Sequence, residues 1–169
     1  MKTISRFGIL AAMILTLSGC ATIGTSPKGL EVPIEKAAIR FSADLKDGGY
    51  GIVGTEELKK WLDDGKKMTV ISTLTVPEER AFGAIPTAVS AVMPKSEKEL
   101  TPEDREILLR VAGSDKESPV VVYCGSVACR RSHIGAKLLV EKGYKSVFRY
   151  PAGISGWKES GYPLAKKYD

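Results

Sequence analysis

Cysteine is scarce in this chain: three residues in 169, and no two of them at C-x-x-C spacing, which excludes a thioredoxin-type redox pair. Histidine occurs once, at His133. A single imidazole makes a poor start for a histidine-based metal centre, and His133 is badly placed as the base of a cysteine hydrolase. No apolar run reaches the roughly 20 residues that a bilayer-spanning helix requires. There is no internal repeat, no low-complexity block, no long basic run and no aromatic platform. The sequence pI is near 9.1, but the 25 basic and 20 acidic side chains are interspersed. That pattern argues against a nucleic-acid partner and for a solvated surface with mild attraction for anions.

What is present begins with "MKTISRFGILAAMILTLSGC". Lys2 and Arg6 precede a short apolar run, and small residues lead to Cys20, the layout of a secretory signal. The "LSGC" ending resembles the lipobox of bacterial lipoproteins. That resemblance implies a signal peptide over 1–19, acylation of Cys20, and a lipidated tether over 20–30, followed by one domain over 31–169. It places the protein in the cell envelope, held to the membrane by lipid on Cys20. Because Ala21 follows the cysteine, the expected location in a Gram-negative host is the periplasmic face of the outer membrane. Cleavage removes Lys2 and Arg6 and no acid, so the formal charge falls from +5 to +3.

With Cys20 assigned to lipid, Cys124 and Cys129 remain in an oxidising compartment, where they form either a disulfide or a reactive site. Around them strands and helices alternate. Helical spacing of Ile34, Ala37, Ala38, Phe41 and Leu45 predicts a helix ending at the Gly48-Gly49 pair. "TEELKKWLDDGK" predicts a helix capped by Thr55, with Leu58, Trp61 and Leu62 on one face and a stop at Gly65. "MTVISTLTV" reads as a buried strand. "TPEDREILLRVAG" reads as a helix with Thr101 as cap, Pro102 in the first position and Gly113 at the end. "PVVVY" and "SVFRY" are further strands flanking the helix "RSHIGAKLLVEKG". This alternation predicts an α/β fold: a central, mostly parallel sheet of about five strands with helices on both faces.

In such sheets ligand sites lie beyond the carboxyl ends of the strands, and Cys124 stands at the end of "VVVY". The segment Gly125, Ser126, Val127, Ala128, Cys129, Arg130, Arg131, Ser132 then leads into a helix. Backbone N–H groups at a helix start and two guanidinium groups favour the thiolate of Cys124 and can cradle an anion. Each of these residues also has a plainer role. Cys124 can be a buried structural thiol, Cys129 a resolving thiol or a disulfide half, and Arg130 and Arg131 solvated residues of the helix start. Ser132 reads as a helix cap, or as a hydrogen-bond partner of the thiolate. His133 reads as a partly exposed residue on the helix surface. The set Cys124, Cys129, His133 lacks a fourth ligand and fits no common zinc spacing, so neither a metal nor a cofactor is expected. Trp157 and Tyr162 are expected to fill core.

From Gly51 to Ala165 the chain resembles the rhodanese family. "PVVVYC" and "GYKSVFRYPAGISGWKESGYPL" match the family's C-terminal pattern, and "TEELKKWLDDGKKMTVISTLTVPEERAFGAIPTAVSAVMP" its N-terminal half. The resemblance implies a three-layer α/β fold and sulfur transfer through a persulfide on Cys124. The amides from Gly125 to Arg130 would stabilise the sulfur, and Arg130 or Arg131 would bind a small sulfur-containing anion or serve a thiol acceptor. A monomer is the default expectation. The family's loop is C-x4-R followed by Ser or Thr, whereas here Arg130 and Arg131 stand at C-x5-R and C-x6-R. A loop of that length resembles those of dual-specificity phosphatases and arsenate reductases, which leaves oxyanion chemistry as an alternative. Ser72, Leu74 and Ala84 occupy places where the family has Asp, Arg and His. A second alternative is an inactive binding module with Cys124 and Cys129 locked together.

Overall fold

The computed structural model describes residues 31–168; the signal, Cys20 and the tether lie outside the described residues. The elements follow in the order α1 (Glu31–Gly48), β1 (Gly51–Ile52), α2 (Thr55–Asp63), β2 (Thr69–Ser72), α3 (Val76–Phe82), β3 (Val89–Ser90), a 3-10 turn (Glu97–Glu99), α4 (Pro102–Ala112), β4 (Val120–Tyr123), α5 (Arg131–Glu141), β5 (Val147–Tyr150) and α6 (Gly153–Glu159). The five strands form one parallel sheet in the order β1-β5-β4-β2-β3. β4 is therefore central, and all four of its residues are buried.

Alternation along β4 builds both layers of the core. Val120 and Val122 pack with Ile71, Met93, Leu108, Leu138 and Leu139 on one face. Val121 and Tyr123 pack with Val70, Leu58, Ile85, Ile154 and Trp157 on the other. A strand buried on both faces reads as an unbroken apolar run, which is how "PVVVY" reads. Gly135 faces the sheet from α5, where a Cβ would make ordinary contact with Val122 Cγ1 at 3.4 Å. Trp157 is fully buried and stacks edge-on against Tyr150 and Tyr162, the core role expected for it and for Tyr162.

α4 starts as its sequence predicts. Thr101 Oγ1 accepts from the Asp104 N–H at 3.1 Å while Asp104 accepts from the Thr101 N–H at 3.0 Å. Elsewhere the local signals differ from the outcome. Thr55 is the first helical residue of α2, behind Gly54 at the cap, because its hydroxyl is engaged with Tyr150 Oη at 3.0 Å. The strand expected over 68–76 ends at Ser72, because Thr75 becomes the cap of α3, its N–H and hydroxyl both donating to Glu78 at 2.8 Å. In α1 the expected apolar stripe is only half used: Ile34 is 56% exposed, whereas the side chain carried to the interior is Asp44. Among the described residues no helix is long and apolar enough to cross a membrane.

Candidate functional site

The loop from Cys124 to Arg130 leaves the carboxyl end of the central strand and is fixed from two sides. From α6, the Ile154 N–H donates to Cys124 O at 2.9 Å and the Ser155 N–H to Gly125 O at 3.1 Å. This approach requires Gly153, whose φ is +60°, since a Cβ there would fall 2.3 Å from Cys124 O. From β5, Arg149 Nη2 donates to Val127 O and Cys129 O, each at 3.0 Å. In a trans peptide the C=O and the following N–H point in opposite directions. These four bonds therefore turn the N–H groups of Gly125, Ser126, Ala128 and Arg130 away from α6 and Arg149. Within the loop, the Cys129 N–H donates to Ser126 O at 3.0 Å.

Cys124 and Cys129 are joined in a disulfide, with their Cα atoms 6.2 Å apart. The two sulfurs differ in setting. Cys124 is 1% exposed and belongs to the core layer with Tyr123 and Ile154, whereas Cys129 is half-buried. Cys129 lines an open cleft of about 430 Å³ with Ala128, Arg40, Lys95, Arg130, Arg131 and Glu78. The lining holds four cations and one carboxylate, with Asp44 and Glu97 against Arg130, which leaves a modest positive balance for an anionic occupant. A cleft of about 440 Å³ between α3 and the C-terminal segment contains no cysteine and stands away from this loop.

Arg131 is buried and paired to Glu78 at 2.5 Å. Burial works to raise the Glu78 pKa, but the Thr75 N–H, the Arg131 guanidinium and the Thr75 hydroxyl outweigh it and hold the carboxyl below its ordinary range. Arg130 faces Asp44 at 3.3 Å and Glu97 at 3.5 Å. Thus both arginines line the cleft, and each is anchored by an acid.

Ser132 is not the cap of α5. Arg130 occupies that position, and Ser132 Oγ accepts from Arg149 Nε at 3.0 Å. His133 is not a surface residue but fully buried, because α1 packs over this part of α5. Its Nδ1 lies 3.0 Å from Tyr50 Oη. Its Nε2 has no hydrogen-bond partner and faces Asp47 at 3.4 Å and Glu97 at 3.5 Å. Burial, with Arg130 and Arg149 nearby, outweighs the opposing pull of Asp44 and keeps the imidazole neutral by lowering its pKa. One ligand atom from each of Asp47, Glu97 and His133 falls within a 4.8 Å span. Lys137 already neutralises both carboxylates, at 2.8 and 3.1 Å.

Arg149 is the residue that reading the sequence missed. It is fully buried, and besides Ser132 and the two loop carbonyls it meets Asp44 at 3.2 Å and Tyr50 Oη at 3.4 Å. Its signal was visible: an arginine inside an otherwise apolar strand must find partners.

A parallel α/β domain with a cysteine-bearing loop at the carboxyl end of its central strand and a cleft beside that loop defines the class of open α/β folds whose sites lie at the strand ends. The chain belongs to the rhodanese-like domain family, whose profile matches residues 54–160. It is similar in structure to the polysulfide-sulfur transferase homodimer of Wolinella succinogenes, at 22% identity over 81% of this chain and 90% of that one, TM-score 0.57. It is also similar to a thiosulfate sulfurtransferase from Pseudomonas aeruginosa, at 21% identity and TM-score 0.59, over 78% of this chain but only 23% of that protein. A possible tyrosine phosphatase from Rhodopseudomonas palustris aligns at 17% identity over 83% of this chain and 96% of that one, TM-score 0.50. At these identities the likeness is one of fold. No curated protein matches the chain significantly.

Proposed function

We propose that the protein is an envelope-anchored sulfurtransferase that carries sulfane sulfur as a persulfide on Cys124 and passes it to a thiophilic acceptor. The observation that carries this reading is the placement of Cys124: at the carboxyl end of the central strand, on a loop whose carbonyls are tied off by α6 and Arg149, beside a cleft lined by four cations. Reduction of the disulfide exposes the thiol, and amides and cations favour its thiolate. With thiosulfate, the Cys124 thiolate attacks the outer sulfur, the S–S bond breaks, and sulfite leaves with the bonding pair. The persulfide then gives its outer sulfur to a nucleophile and the thiolate returns. The protein acts as a monomer, bound to the membrane through lipid on Cys20 on the periplasmic side.

The disulfide itself favours a second reading, in which the fold is an inactive binding module. Intact mass of the full chain before and after thiosulfate, under mild reduction, separates the two. Gain of one sulfur in wild type and in Cys129→Ser, but not in Cys124→Ser, supports the carrier. A disulfide that survives mild reductant, with no sulfur gained by any form, refutes it.

A further inference from the structure

We infer that Cys129 is a built-in sulfur acceptor, making the protein a sulfane reductase that releases hydrosulfide and is reset by a dithiol. The inference rests on Cys124 as sulfur carrier and concerns the fate of the sulfur. A persulfide has two electrophilic sulfurs. Attack on the outer one transfers sulfur to an acceptor. Attack on the inner one, Sγ of Cys124, expels the outer sulfur as HS⁻.

In the disulfide Sγ of Cys124 is covered, the residue being 1% exposed at the base of the loop; in the persulfide the outer sulfur would cover it in turn, so an external nucleophile meets that outer sulfur first. Cys129 has access to Sγ itself. It is five residues along the same loop, and the two sulfurs are bonded in the structure with β4 and α5 intact on either side. The disulfide in the structure is the product such an attack would leave. The step balances as follows: the Cys129 thiol gives its proton to the outer sulfur of the persulfide anion, its thiolate forms a bond to Cys124 Sγ, the bond between Sγ and the outer sulfur breaks, and HS⁻ leaves with the pair. The two cysteines are oxidised to a disulfide while the sulfane sulfur is reduced to sulfide. HS⁻ is less basic than an alkyl thiolate and departs readily. A neighbouring thiol on a short flexible link has an effective concentration on the order of millimolar, so it outcompetes an external thiol at micromolar concentration by about a thousandfold.

The reset needs two electrons, supplied by a dithiol of low potential such as a reduced thiol-disulfide carrier domain. Its first thiolate attacks Cys129 Sγ, the half-buried sulfur on the cleft wall, and Cys124 departs as the thiolate that the loop stabilises. The carrier's second thiol then releases Cys129. The net reaction converts thiosulfate and a dithiol into sulfite, hydrosulfide and a disulfide. Arg40, Lys95, Arg130 and Arg131 draw the dianionic donor past Cys129 toward Cys124.

The test uses the purified full chain, reduced with dithiothreitol, freed of it under anaerobic conditions, and mixed with thiosulfate without cyanide or thiol. Sulfite, sulfide and intact mass are followed. Wild type should yield sulfite and sulfide in equal amounts and end as the disulfide form. Cys129→Ser should yield sulfite and keep the extra sulfur, with sulfide release lower by about a hundredfold or more, given the lost effective concentration. Adding dithiothreitol back should restart wild-type turnover. Wild type that stably retains the persulfide, or Cys129→Ser that releases sulfide at the wild-type rate, overturns the inference while leaving the carrier role of Cys124 intact. Absence of sulfite from both proteins overturns the carrier role, and the inference with it.

Discussion

Replacing Arg149 by methionine tests the view that one buried cation holds the sulfur-bearing loop in shape. Methionine preserves the apolar stem but removes every donor to Asp44, Ser132, Tyr50, Val127 O and Cys129 O. Breaking the buried Arg149–Asp44 pair costs about 3 kcal/mol, the low end of the usual range because Arg130 still faces Asp44 at 3.3 Å. Each loop carbonyl without a donor adds about 1–3 kcal/mol unless water reaches it, and the half-buried loop admits water. A net loss of about 5 kcal/mol follows, comparable to the whole stability of many domains. With a urea slope of about 2 kcal/mol per molar, the midpoint should fall by roughly 2–3 M. Arg149→Lys keeps the charge beside Asp44, but its compact ammonium cannot serve the hydroxyl, the acid and two carbonyls together, so about 2 kcal/mol is lost. If that loss is felt at the loop, persulfide loading slows by roughly 30-fold. Equilibrium denaturation under reducing conditions and stopped loading with thiosulfate measure the two effects. An Arg149→Met protein within about 1 kcal/mol of wild type would refute the reasoning outright.

Three further outcomes are expected. Gly153→Ala places a Cβ against Cys124 O at a positive φ, so it should cost about 2–4 kcal/mol in denaturation and slow loading by displacing the loop. His133 is buried with its pKa lowered, and the unfolded chain takes up its proton near pH 6.5. Its contribution should therefore be complete above about pH 6.5 and shrink as the pH falls toward the folded pKa, and His133→Gln should flatten that part of the stability–pH curve. Thr101→Ala removes the cap of α4 and should lower stability by about 1 kcal/mol without altering sulfur loading.

Features written in neighbouring residues were legible from the sequence. The position of Cys124 follows from an apolar strand giving way to a small-residue loop, and the start of α4 from Thr101, Pro102 and Asp104. The cap of α3 was missed because β-branched residues through Thr75 favour a strand as well as a cap, and the Glu78 contacts decided between them. Ser132 and His133 were misjudged for a different reason. Both answer to groups from distant elements: Ser132 to Arg149 on β5, and His133 to Tyr50 and to the carboxylates presented by α1 and the 3-10 turn. Asp44 falls beside Phe41, Leu45 and Gly48 on the inward side of α1, so an acid among apolar positions was the available clue to a buried ion pair.

α1 precedes the family-matched span of residues 54–160, yet its Asp44 balances the arginine that grips the loop. Little of α1 beyond Asp44 and Gly48 is buried, so this helix should detach at lower free energy than the central sheet. Each such opening strips Arg149 of its counter-ion and slackens the hold on Val127 and Cys129. Amide exchange in the loop should therefore keep pace with α1 rather than with β4. A fragment trimmed to the family's borders would retain every loop residue and Arg149 itself, yet lose the acid that steadies its grip.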